Sequence, residues 1–140
     1  MGWLGTLVRW FKGGREAGAT NAQSLQDKAR RMIRARRYQD ALGCLDRLIE
    51  LRPDFAGGYH DRAVVRILSR RDFQAALPDC DMAVKRDPKF AQVYVIRSAV
   101  HRQLGNQERA DGDIRIARTL DKEQADKWLE YWDRLLRLPL

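Results

Sequence analysis

With 27 lysines and arginines against 19 aspartates and glutamates, a net charge of +8 and 44% hydrophobic residues, this 140-residue chain suits one domain. A chain of that size buries roughly 68% of its unfolded surface without staples. No apolar run approaches the ~20 residues of a spanning helix, and the first residues lack the basic start and small-residue cleavage site of a secretory signal, so an intracellular, cytoplasmic chain is expected. The cysteines, Cys44 and Cys80, sit on apolar helical patterns without C-x-x-C or histidine spacing, which sets disulfide and zinc chemistry aside and predicts reduced core thiols.

Residues 1–12 are apolar and aromatic. At ~100° per residue, Trp3, Leu4, Leu7, Val8, Trp10 and Phe11 fall within an arc of about 160°, with Gly5, Thr6, Arg9 and Lys12 opposite. Such segregation describes an interfacial helix lying in an anionic membrane surface; the same helix would equally dock into a partner protein or fold back as a cap. Residues 13–21, with three glycines, read as a flexible linker.

The positive excess lies in the first half of the chain, which holds 14 basic and 7 acidic residues, against 13 and 12 in the second. Its centre is a basic patch of Lys28, Arg30, Arg31, Arg34, Arg36 and Arg37, with no acidic residue after Asp27. It favours anionic partners: lipid headgroups, nucleic acid or an acidic protein.

From residue 22 to 122 the sequence repeats about every 34 residues. Ala41, Ala76 and Ala110 are spaced by 35 and 34, while Tyr59 and Tyr94, and Pro53 and Pro88, are each 35 apart. In the first unit Leu25, Ala29, Met32 and Ile33 recur at helical spacing; Tyr38, Ala41, Leu42, Leu45, Leu48 and Ile49 give a second amphipathic helix that stops before Pro53. The second unit pairs a helix of Tyr59, Ala63, Val64 and Ile67 with one of Phe73, Ala76, Leu77, Cys80, Ala83 and Val84, capped by Asp72, kinked at Pro78 and stopped by Pro88. In the third, the helix begun by Tyr94 ends at Gly105, and Asn106 starts its partner with Ala110, Ile114, Ala117 and Leu120. A last amphipathic stretch, about residues 123–137, places Trp128, Leu129, Trp132, Leu135 and Leu136 on one side as a capping helix.

These residues resemble the tetratricopeptide repeat family over about 100 of 140 positions. The second unit, Gly58-Tyr59-His60-Asp61-Arg62-Ala63 through Phe73-Gln74-Ala75-Ala76 to Asp87-Pro88, looks like its common form; the third, Val93-Tyr94-Val95-Ile96-Arg97-Ser98 with Leu104-Gly105-Asn106 and Ala110, matches nearly as well. One extra residue stands around Ser69-Arg70-Arg71, and Lys122 stands where the family usually has proline. The resemblance implies an all-α, right-handed superhelix of helical hairpins. It also implies structural pairs of Arg62 with Asp79 and Arg97 with Asp113, and a groove lined by the first helix of each unit. Carried over residue by residue, the groove positions are Gln23, Gln26, Arg30 and Arg34, then His60 and Val64, then Gln92, Val95, Ala99 and Arg102. Some members clamp chaperone C-terminal carboxylates with lysines and asparagines at such positions. Here they include glutamine, arginine and valine, which argues against that ligand.

Motifs for catalysis are missing from the sequence: there is no phosphate loop, H-E-x-x-H or G-x-S-x-G, and nothing beside His60 and His101 completes a metal set. Asp79 and Asp81, two apart on a helix, point to different faces. No aromatic platform interleaves with the arginines, so nucleic acid is the weaker partner. The expectation is a non-enzymatic adaptor without cofactor, tethered by residues 1–12 to a membrane surface or membrane complex and presenting a groove to a protein with acidic and apolar features. The alternative is a soluble scaffold whose first helix docks into a larger assembly.

Overall fold

The computed structural model describes residues 21–140, which form seven helices and no strand. The expected N-terminal helix, with Trp3, Leu4, Leu7, Val8, Trp10 and Phe11, lies outside the described residues, as does the linker up to residue 20. Asn21, grouped with that linker from sequence, is already helical. No helix among the described residues is long and apolar enough to cross a membrane.

The chain divides after Pro53. In the first unit, α1 (21–34) buries Ala22, Gln26 and Ala29 along one stripe at i, i+4 and i+7. Helix α2 (Tyr38–Leu51) buries Ala41, Leu45 and Leu48 in the same pattern. Between them the chain reverses through Arg36, in the left-handed region at φ 57°. The Arg37 N–H reaches back to the Met32 carbonyl (2.8 Å) and the Arg36 N–H to Ile33 (3.0 Å), a Schellman closure whose pivot is usually glycine.

The second unit holds α3 (Ala56–Arg70), α4 (Phe73–Arg86), α5 (Ala91–Gln103), α6 (Gln107–Leu120) and α7 (Lys122–Arg137). Helices α3 with α4, and α5 with α6, form hairpins; α4 packs on α5, and α7 on both α5 and α6. Ala63, Ala76, Ser98 and Ala110, the small residues of the repeat, are fully buried. The recurring tyrosine and proline have a physical reason in the third repeat: the Tyr94 hydroxyl donates to the Pro88 carbonyl (2.8 Å), tying the start of α5 to the turn before it. The Asp72 carboxylate caps α4 by accepting from the Ala75 N–H (3.0 Å), as its position predicts. Gly105, at φ 82°, ends α5 in the same closure as Arg36, with the Asn106 N–H on the His101 carbonyl (2.8 Å). Helix α4 runs continuously through Pro78, whose ring is exposed near its first turns; the neighbouring Ala75 carbonyl takes the Arg66 guanidinium (2.7 Å).

Helix α7 starts one residue before the expected stretch. Asp121 caps it by accepting from the Gln124 N–H (3.1 Å). It buries Ala125 and Trp132, while Trp128, Leu129, Leu135 and Leu136 are half-buried. Its far end is held from a distance. The extra residue between α3 and α4 lets Arg71 turn left-handed at φ 53°, and its guanidinium donates to the carbonyls of Leu135 (3.0 Å) and Leu138 (3.2 Å). A cation there also meets the negative end of the α7 dipole.

Candidate functional site

Inside each hairpin of the second unit an arginine from the first helix holds an aspartate from the second. Arg62 grips both oxygens of Asp79 through Nε and Nη2 (3.0 and 2.7 Å), and Arg66 adds a bond to the oxygen that Nε contacts (2.8 Å). Arg97 holds Asp113 in the same way (2.9 and 2.8 Å) and reaches Asp81 of α4 (3.0 Å), joining one hairpin to the next. The two aspartates flanking Cys80 therefore face different partners. The hydrogen bond to Asp113 raises the Arg97 pKa further above its ordinary range. Burial, seconded by the Asp79 charge, pushes the Cys80 thiol up, which leaves it a protonated core side chain with no nucleophilic character.

Both histidines are buried. The His60 ring stacks on Phe90 with centroids 5.0 Å apart, and its Nδ1 lies 2.8 Å from the Asp61 carboxylate. His101 Nε2 is 4.0 Å from Asp113. Burial lowers the His101 pKa, against the opposing pull of Asp113. Neither histidine joins a group of metal-ligating side chains among the described residues.

The positions carried over as a groove divide into three classes. Gln26, His60, Val95 and Ala99 are buried and offer no open surface. For Val95 and Ala99 the reason lies in α5 itself, which packs on α4, α6 and α7, so that Val93–Ile96 and Ser98–His101 are all interior. Val64, Gln92 and Arg102 are half-buried, and Arg102 is engaged by Asp133 of α7 at 2.6 Å. Gln23, Arg30 and Arg34 are exposed on α1, where Gln23 donates to Asp27 (3.1 Å).

The basic patch is solvent-facing throughout: Lys28, Arg30, Arg31, Arg34, Arg36 and Arg37 are all exposed. Arg37 pairs with Asp40 (2.7 Å). Lys28, Arg31, Arg34 and Arg36 carry no ion pair among the described residues. Lys28, Arg31 and Arg34 follow at three-residue steps, so a stripe of unneutralised cations runs along α1. Sequence inspection finds this patch. It does not find Arg71 or Asp133, because their partners lie 64 and 31 residues away, in helices whose packing has no local signature.

No protein-family model matches the chain. Hsc70-interacting protein 1 of Drosophila melanogaster is 29% identical over 125 residues, 89% of this chain and 33% of that protein. The mitochondrial import receptor subunit TOM70 of Rattus norvegicus is 25% identical over 122 residues, 84% of this chain and 20% of that protein. The chain thus spans a third or less of these relatives. Among solved structures, the second TPR of Spaghetti (RPAP3) bound to the HSP90 peptide SRMEEVD superposes with a TM-score of 0.70 at 22% identity, covering 76% of this chain and 99% of that one. The fold is that of a tetratricopeptide repeat domain. In it, the Arg62–Asp79 and Arg97–Asp113 pairs brace successive tetratricopeptide repeats, and α7 packs on the last hairpin.

Proposed function

We propose that this tetratricopeptide repeat chain is a non-enzymatic adaptor that binds a protein with acidic and apolar features, the α1 cations forming the contact. One observation carries the reading: Lys28, Arg31, Arg34 and Arg36 are exposed and unneutralised among the described residues, which costs the fold repulsion and returns no internal contact. Support for a peptide partner comes from the similar domain that holds SRMEEVD, a segment ending in three acidic residues among its last four. In the same proposal, residues 1–12 tether the chain to the cytoplasmic face of a membrane, a reading supported by their amphipathic sequence and by the likeness to an import receptor subunit.

The test is capture on the full chain compared with an Arg31→Glu, Arg34→Glu variant. The proposal expects a partner that is retained by the wild type, resists nuclease, is released by salt and is lost on the variant at unchanged helicity. A partner held equally by both overturns it, and loss on nuclease treatment points to RNA instead. For the tether, the full chain floats with anionic vesicles and the Trp3→Ala, Trp10→Ala variant does not; equal flotation contradicts it.

A further inference from the structure

Six cations, Lys28, Arg30, Arg31, Arg34, Arg36 and Arg37, stand between residues 21 and 40 against two carboxylates, Asp27 and Asp40. Asp40 is spent on Arg37, and Asp27 takes the Gln23 amide (3.1 Å), so a positive surplus remains on the outer side of α1. At ~100° per residue, Lys28, Arg31 and Arg34 lie within an arc of about 120°, spread over roughly 9 Å of helix axis. Apart from Ala35, every exposed side chain between residues 21 and 37 is polar or charged. A cation face without an apolar or aromatic anchor binds through charge alone, which suits a broad anionic surface.

Position in the chain decides which surface. Residues 13–20, with three glycines, are all that separates α1 from the amphipathic sequence of residues 1–12. A linker of that length reaches at most about 28 Å, and on average about 15 Å if flexible. Any bilayer that holds Trp3, Trp10 and Phe11 therefore lies within a few Debye lengths, ~8 Å each at physiological salt, of the start of α1. Tethering at that distance presents the cations to the surface at an effective concentration on the order of millimolar.

We infer that the Lys28, Arg31 and Arg34 face of α1 docks on the anionic lipid surface that residues 1–12 enter. Docking rests on the tether proposed above and completes it: stable anchoring takes two signals, and a basic patch supplies the one that a short interfacial segment lacks. A docked face cannot give the same cations to an acidic protein. Bilayer and protein partner thus exclude each other at α1, and the membrane-bound chain is the closed form of the site.

The test uses the full chain with vesicles of phosphatidylcholine alone and of phosphatidylcholine with phosphatidylserine at about 3:1. Reductive methylation, read by mass spectrometry, should slow at Lys28 on the anionic vesicles. It should keep the free-chain rate with phosphatidylcholine alone and with soluble glycerophosphoserine. Arg31→Glu, Arg34→Glu should bind the anionic vesicles at least about tenfold more weakly, whereas Lys85→Glu, Arg86→Glu, an equal charge change on exposed residues of α4, should bind as the wild type does. Unchanged circular dichroism verifies that both variants fold. Anionic vesicles should also release fluorescein-labelled hexaglutamate from the wild type, and neutral ones should not. The proposal is overturned by Lys28 reacting at its free rate on the bound chain, by glycerophosphoserine alone protecting it, by equal binding of the two charge reversals, or by hexaglutamate staying on the vesicle-bound chain. Failure of the tether reads differently: Trp3→Ala, Trp10→Ala would then bind the vesicles as the wild type does, with Lys28 still protected.

Discussion

The second and third repeats meet the same backbone requirement with opposite residues. After α3 the left-handed position is Arg71, and after α5 it is Gly105. Glycine adopts that conformation without a β-carbon penalty, whereas an L-residue gives up about 1–2 kcal/mol. The arginine is therefore a local cost, and the distant contact it makes offsets that cost: its guanidinium closes the last turn of α7 through Leu135 and Leu138. Repeat proteins need a finished end, and here the end of α7 is held by a strained residue in the turn after α3, with three helices between them. Arg36 is the control. It is left-handed like Arg71, yet exposed, with no ion pair among the described residues.

The comparison breaks most readily at the cap itself. Trp132 is buried on α7, so Trp132→Ala should cost about 3–5 kcal/mol and broaden chemical unfolding; an unchanged midpoint would mean that α7 does not finish the core. Next in size is Asp79, 3% exposed at its side chain and held by two arginines. Removing one partner of such a pair costs about 3–5 kcal/mol, so Asp79→Ala should approach the loss at Trp132. Arg37→Ala, which breaks the exposed pair with Asp40, should shift stability by under ~1 kcal/mol.

The left-handed positions come third. Arg71→Ala should lose about 1.5–3 kcal/mol, the value of hydrogen bonds from a charged group. Arg71→Gly should lose roughly 1 kcal/mol less, because it relieves the backbone. Gly105→Ala meets no atom within 4 Å, so its expected cost of about 1–2 kcal/mol is conformational alone. Arg36→Gly should stabilise by roughly 0.5 kcal/mol after the entropy of the added glycine is counted. Equal effects of Arg71→Ala and Arg36→Ala on denaturant midpoints would show that Arg71 does not fasten α7.

The smallest effect is set by His101. Its folded pKa is lowered by burial, so as pH drops through the ordinary imidazole range the unfolded chain takes the proton first and stability falls; above that range the contribution is constant. The denaturant midpoint should therefore decline from about pH 8 to about pH 5 more in the wild type than in His101→Gln. Parallel curves would contradict the assignment.

What could be read from sequence follows the range of the interaction. Asp72 and Gly105 were legible because capping acts over three residues, and the Arg–Asp braces followed from the resemblance to the tetratricopeptide family. Val95 and Ala99 were misplaced because the repeat pattern marks them as a first-helix surface, while their burial depends on how α5 meets three neighbours. Arg71 drew notice only as an insertion. Its partners lie beyond any local pattern. The α1 cations were visible at once, because unneutralised charge is a property of composition.

The most direct measurement concerns that charge: the calorimetric affinity of the captured partner for the wild type and for Arg31→Glu, Arg34→Glu at low salt, alongside thermal melts of both. The account predicts binding at least about tenfold weaker in the variant, a salt-dependent wild-type affinity and melting points within a few degrees, as expected for exposed charges. Equal affinities with intact folding would contradict it and move the partner away from α1.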